Sequence, residues 1–189
     1  MATRIRYETH CVTAHNAAGL MSGWQDPPLS AEGAAAARQL GERYRGESIA
    51  AVFTSDLLRA VQTAQFAFHD AGVPMVTDSR LRECDFGDLN GAPLAEVEAV
   101  RPGHVVEPFP NGQSFTDVLR ATAQLLGELS VKYADEQVLI IAHSANKWSL
   151  DCLLAGASMA ELVSRPFAWQ PGWSYTLPSG WSPPPWSDS

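Results

Sequence analysis

Apolar positions in this chain fall into short runs separated by helix-patterned stretches, and the runs predict strands. Ile5 to His10 reads as a first strand, although Arg4, Arg6 and Glu8 make it less apolar than usual. Ala50 to Thr54 is a second and Pro74 to Thr77 a short third. Val138 to Ala142 is a continuous apolar run of the kind buried in parallel sheets, and Trp173 to Leu177 reads as a last strand. Between them lie helical patterns. Ala31 to Arg45 is alanine-rich with Ser30 as N-cap, and Asp56 to Ala71 is ended by Gly72 and Pro74. Ser114 to Tyr133 is amphipathic, with Phe115, Val118, Leu119, Leu125, Leu126 and Leu129 on its inner face. Ala145–Leu154 and Met159–Val163 complete the set. Strands alternating with helices predict an α/β fold with a mostly parallel sheet.

Two stretches escape this pattern. Ala14 to Leu29 reads as a Gly/Pro-rich loop. Cys84 to Gln113 is also loose, with a short helix around Pro93–Val100 that has Pro93 in its first turn. A long, weakly patterned segment inside a compact domain is more often a lid or binding loop than filler. Residues 84–113 are therefore expected to form a substrate-facing insertion within a single domain spanning 1–177. The tail, 178–189, is rich in Pro, Trp and Ser and is expected to be irregular, with Trp181 and Trp186 able to tie it to the body.

Composition narrows the partners. At 189 residues, with 46% apolar and 18% charged, the chain reads as one globular domain. A net charge of −8 argues against nucleic acid or an anionic membrane and requires any anion site to be a local cluster of positive groups. Cys11, Cys84 and Cys152 show no C-x-x-C spacing, which fits a reducing compartment. No apolar run approaches the roughly 18 residues a bilayer requires, and the N-terminus lacks a signal-type apolar segment. A cytoplasmic location is expected. No His/Asp/Cys group has ligand spacing, so neither metal nor cofactor is expected.

Candidate chemistry sits at strand ends. In open α/β sheets ligands bind at the C-terminal edge of the strands. His10 and His143 each follow a strand there, and a neutral imidazole is a competent nucleophile near pH 7. Arg59 lies in the first turn or so of a helix, where guanidinium and helix N-terminus can both face an anion. Glu83 also follows a strand, and a carboxyl near phosphate tends to a raised pKa suited to general acid work. Two histidines, an arginine and a glutamate in such places spell phosphate-ester chemistry.

Four segments resemble the histidine phosphatase (phosphoglycerate mutase-like) superfamily. The first is Thr9-His10-Cys11 with Thr13, Asn16, Gly23-Trp24, Asp26-Pro27-Pro28-Leu29-Ser30 and Gly33. The second is Ser55-Asp56-Leu57-Leu58-Arg59-Ala60-Val61-Gln62-Thr63-Ala64. The others are Leu81-Arg82-Glu83 with Phe86-Gly87 and Asn90-Gly91, and Ala142-His143-Ser144-Ala145. They come in family order from residue 5 to about 155. The resemblance implies a three-layer α/β/α architecture. It also implies His10 as the nucleophile that becomes phosphohistidine, Glu83 as acid/base, His143 and Arg59 as phosphoryl clamp, and Thr13 and Asn16 as phosphate contacts.

Three positions depart from the pattern. Thr9 stands where the first arginine is expected, Cys11 where glycine is, and Ser144 where the second glycine block begins. Arg82 and Lys147 are candidate substitutes for the missing cation. The reading that follows is a metal-independent phosphatase of a small phosphorylated metabolite. The single compact insertion favours hydrolysis over mutase action, because the family's mutases are usually longer. Two alternatives stay open: an enzyme repurposed for other acid/base chemistry at His10, Glu83 and His143, and a non-catalytic phospholigand-binding module. A homodimer is also left open.

Overall fold

Five strands form the sheet of the computed structural model, which describes residues 1–186. They are β1 (Ala2–Thr9), β2 (Ala51–Thr54), β3 (Met75–Thr77), β4 (Gln137–Ala142) and β5 (Trp173–Pro178), in the spatial order β3-β2-β4-β1-β5. All neighbours run parallel except β5, which lies antiparallel to β1 at one edge. Helices α1 (Ala14–Ala17), α2 (Ala31–Arg43), α3 (Leu58–Phe68), α4 (Leu94–Val100), α5 (Phe115–Lys132), α6 (Ser144–Ala155) and α7 (Met159–Val163) surround it. The architecture is the expected three-layer α/β/α arrangement.

Side-chain alternation along each strand divides the core in two. Val138, Ile140 and Ala142 of β4 join Ile5, Tyr7, Ala51 and Phe53 against Leu125, Leu126 and Leu129 of α5. Leu139 and Ile141 face the other way and meet Val52, Leu40 of α2, and Ala64 and Phe68 of α3. The charged residues of β1, Arg4, Arg6 and Glu8, fall on this second parity. Buried Glu8 is met there by Arg43 at 2.8 Å and by the Tyr44 hydroxyl at 2.9 Å, which explains a carboxylate within a central strand.

Segment boundaries differ from expectation in informative ways. The loop at 14–29 contains α1, because Thr13 and Asn16 form a capping box. The helix expected from Asp56 starts at Leu58, whose N–H is capped across the fold by Asp26 Oδ1 at 2.7 Å. The region 84–113 contributes Cys84, Phe86, Val97 and Phe109 to a third hydrophobic cluster with Phe115 and Trp148. Beyond β5 the tail is irregular but tied down. Trp181 packs on the main core and accepts from Ser130 Oγ, and the Arg120 guanidinium lies 5.9 Å from the Trp186 ring. Residues 187–189 of the expected tail lie outside the described residues. Among the described residues no helix is long and apolar enough to cross a membrane.

Two glycines of the helical layers carry opposite predictions. A Cβ on Gly33 would lie 2.0 Å from the Val12 carbonyl oxygen, so α2 abuts the loop after His10 only through glycine. Gly33→Ala is expected to destabilise by about 1–3 kcal/mol through overpacking. Among the described residues a Cβ on Gly127 in α5 would meet only Pro183 Cδ, at 4.0 Å, and Gly127→Ala should stabilise by about 0.5–1 kcal/mol. Urea unfolding of both variants tests the pair; equal shifts in one direction would contradict it.

Candidate active site

Strand register builds the centre of the site. In the β1–β4 ladder the last partners are Thr9 and Ala142, so His10 and His143 emerge side by side one residue further on. The ladder continues into His10, whose N–H donates to the Ala142 carbonyl at 2.9 Å. In the β2–β4 ladder Thr54 pairs with Ile141, which places Ser55 beside the same edge. The imidazole rings of His10 and His143 lie 5.1 Å apart, and Ser55 Oγ is 2.7 Å from His143 Nε2.

Hydrogen bonds define what each ring can do. His10 Nδ1 lies 2.8 Å from the Cys11 carbonyl. A carbonyl can only accept, so Nδ1 carries the proton and Nε2 keeps its lone pair. His143 is 1% exposed, and its Nδ1 is buried without a partner among the described residues. Burial is the first cause that lowers the pKa of both rings and Arg59 the second; His10 falls to about 3 and His143 well below its ordinary 6.5. Both are neutral at physiological pH.

Arg59, 1% exposed, projects from the first turn of α3. It donates to the Gly23 carbonyl at 2.7 Å and the Gln25 carbonyl at 2.9 Å. The turn that offers these carbonyls needs glycine at 23: φ is +53°, and a Cβ would overlap Asn90 Oδ1. The Arg59 Nε–H is buried without a partner among the described residues. Glu83, 5% exposed, accepts from Cys84 N–H at 2.8 Å, Ala145 N–H at 3.3 Å and Ser144 Oγ at 2.9 Å. These bonds and Arg59 favour its anion, yet burial outweighs them and raises its pKa.

These groups open onto a cleft of about 460 Å³, lined by Thr9, His10, Arg59, Glu83 and Ser144 together with Asn16. Its upper walls are apolar. Larger clefts lie elsewhere, between α2 and α3 and along β5, but neither contains the paired histidines.

The family model of the histidine phosphatase superfamily (branch 1) matches residues 9–171. The chain belongs to this superfamily. It is 30% identical over 169 residues to a 2,3-bisphosphoglycerate-dependent phosphoglycerate mutase of Methylobacterium radiotolerans, covering 81% of this chain and 79% of that one. Among solved structures it resembles Bacillus stearothermophilus YhfR, with a TM-score of 0.78, 29% identity and coverage of 90% and 88% of the two chains. It also resembles a mycobacterial glucosyl-3-phosphoglycerate phosphatase complexed with VO3, at a TM-score of 0.76 and 26% identity, covering 85% and 86%.

Within this histidine phosphatase fold, not all the expected residues converge. His10, Arg59, Glu83, Thr9, Asn16 and Ser144 line one cleft, with His143 directly behind. Thr13 is fully buried, and its hydroxyl is engaged in the α1 capping box. Arg82 turns away, held by Asp56 at 2.6 and 2.7 Å and stacked 4.7 Å over Trp24. Lys147 is bound to Asp151 at 2.5 Å. Neither fills the place of the missing arginine in this structure. From 84–113 only Leu94 reaches the cleft; the other walls come from 19–23 and from Phe167 and Trp169. Sequence reading missed Ser55 as a site residue, although it stands at a strand's C-terminal end like the histidines. It also missed Phe167, which lies in a segment without periodicity; nearby Trp169, a tryptophan that reads from sequence as either core or pocket wall, is pocket wall.

The neutral histidines carry a prediction about stability. Below pH 6.5 the unfolded chain takes up protons at both rings that the folded chain refuses, so stability falls with pH. Glu83 acts oppositely, since its folded carboxyl stays protonated above the ordinary 4.5. Two histidines outweigh one carboxyl. Unfolding free energy at pH 5 should lie below that at pH 7 by on the order of 1–3 kcal/mol. Urea titration checks this, and equal or greater stability at pH 5 contradicts it.

Proposed function

We propose that the protein is a metal-independent phosphatase that hydrolyses a small phosphate monoester through a phosphohistidine at His10. The observation that carries this reading is His10 itself. Its Nδ1–H is fixed to the Cys11 carbonyl and its Nε2 is left free, in a cleft shared with Arg59 and Glu83. Nε2 attacks phosphorus as the bond to the ester oxygen breaks, and protonated Glu83 delivers its proton to that oxygen. The phosphorylated ring becomes cationic, which the Cys11 carbonyl stabilises. Glu83, now a carboxylate, takes a proton from water as the water oxygen attacks phosphorus. The N–P bond breaks, and inorganic phosphate, neutral His10 and protonated Glu83 result.

Arg59 Nε–H and His143 Nδ1, both buried without partners among the described residues, fit a phosphoryl-clamping role. With the Ser55 hydroxyl, 2.7 Å from His143 Nε2, acting as donor, the ring proton sits on Nδ1, where it would serve as a donor to phosphate. Relatives with phosphatase names and one complexed with VO3 support the phosphoryl reading, while mutase names among them leave transfer to a second hydroxyl as the competitor. The test is phosphate release from a panel of small monoesters with EDTA present. Metal-free release is expected from at least one. No release from any member would overturn the reading in favour of repurposed acid/base chemistry or a binding module.

A further inference from the structure

The cleft has a polar floor and apolar walls. The floor holds His10, Arg59, Glu83 and Ser144, and the walls are Val12, Leu20, Met21, Leu94, Phe167 and Trp169. Large apolar side chains that remain in solvent gather at its mouth: Trp169 is 64% exposed, Leu94 40% and Val12 38%. Such a patch on the rim of a concave site is where a ligand rather than the protein completes the burial. Trp169 is held in place. Its indole N–H donates to Thr9 Oγ1 at 3.2 Å, beside the nucleophile, and Phe167 in the same segment is anchored on Trp148 and Trp173, with centroids 5.9 Å apart in each case.

Charge points the same way. Arg59 is the one lysine or arginine among the described residues lining the cleft, and Arg82 and Lys147 are bound to carboxylates outside it. A substrate carrying a carboxylate or second phosphate beside the reacting phosphoryl group finds no cation for it, in a chain of net charge −8. Taking the phosphatase reading as given, we infer that Trp169 forms the wall of a leaving-group subsite selective for monophosphates of bulky apolar, aryl-type alcohols.

The experiment compares kcat/KM for 1-naphthyl phosphate, glycerol phosphate and 3-phosphoglycerate in the wild type, Trp169→Ala and Trp169→Phe. The wild type should prefer the naphthyl ester over 3-phosphoglycerate by about a hundredfold or more. Trp169→Ala should cut the naphthyl-to-glycerol preference about tenfold, mainly through KM, and Trp169→Phe should restore most of it. Equal or better use of 3-phosphoglycerate, or a preference unchanged by Trp169→Ala, overturns the inference. Calorimetric binding of naphthylmethylphosphonate against methylphosphonate to the wild type separates this subsite from catalysis. About tenfold tighter binding of the aryl compound, lost in Trp169→Ala, supports the subsite even if no ester is hydrolysed. Equal affinities overturn it even if hydrolysis is confirmed.

Discussion

Replacing His10 with alanine is expected to lower phosphate release by roughly 10³–10⁵-fold, because the variant loses the atom that forms the intermediate. No neighbour substitutes for it. His143 is the nearest imidazole, but it is 1% exposed and its Nε2 is engaged by Ser55. The fold should survive, since among the described residues the His10 ring's hydrogen bond is to the adjacent residue's carbonyl. Unfolding curves should therefore stay cooperative. The variant should also lose part of the acid destabilisation that His10 contributes, which ties the kinetic and thermodynamic readings to one side chain. A residual rate within tenfold of wild type in a folded His10→Ala protein would remove the phosphohistidine from the account.

Glu83→Gln should cost roughly 10²–10⁴-fold on esters with poor leaving groups and much less on 4-nitrophenyl phosphate, whose leaving oxygen hardly needs a proton. Glutamine is close in shape. Its oxygen can accept from Cys84 and Ala145, and its amide can donate to Ser144, so what disappears is the transferable proton. The pH profile gives an independent check. His10 is protonated, and so disabled, only below about 3. Protonated Glu83 is lost as pH rises through a value held above the ordinary carboxylate's by burial. Activity should thus peak in the acidic to neutral range, and the high-pH decline should vanish in Glu83→Gln. Comparable losses on good and poor leaving groups, with the decline retained, would assign the proton to another residue.

Much of this was legible in the sequence because it depends on strand ends. An apolar run such as 138–142 predicts both a buried parallel strand and the edge from which His143 emerges, and the same logic brings His10 to its side. The charged residues of β1 were visible but not what meets buried Glu8, since Arg43 and Tyr44 lie far along the chain from it. Side-chain direction was the other gap. Arg82 adjoins Glu83 in sequence, yet Asp56 and Trp24 draw it away. Lys147 is captured by Asp151, a partner four residues on that helical spacing does offer. Thr13 and Asn16 read as phosphate contacts, but their three-residue spacing also encodes the capping box that engages them. Trp169 read equally as core or pocket wall, and the choice was not legible, because its segment has no period and its place depends on a tertiary contact with Thr9.

The central claim is a covalent bond between His10 and phosphorus. Rapid mixing with a turned-over monoester, quenching in base to preserve phosphohistidine, and mass analysis of the peptide spanning His10 tests it most directly. The account predicts one phosphoryl group on His10, absent in His10→Ala and persisting longer in Glu83→Gln. Release of phosphate with no such adduct at any time during turnover would contradict it.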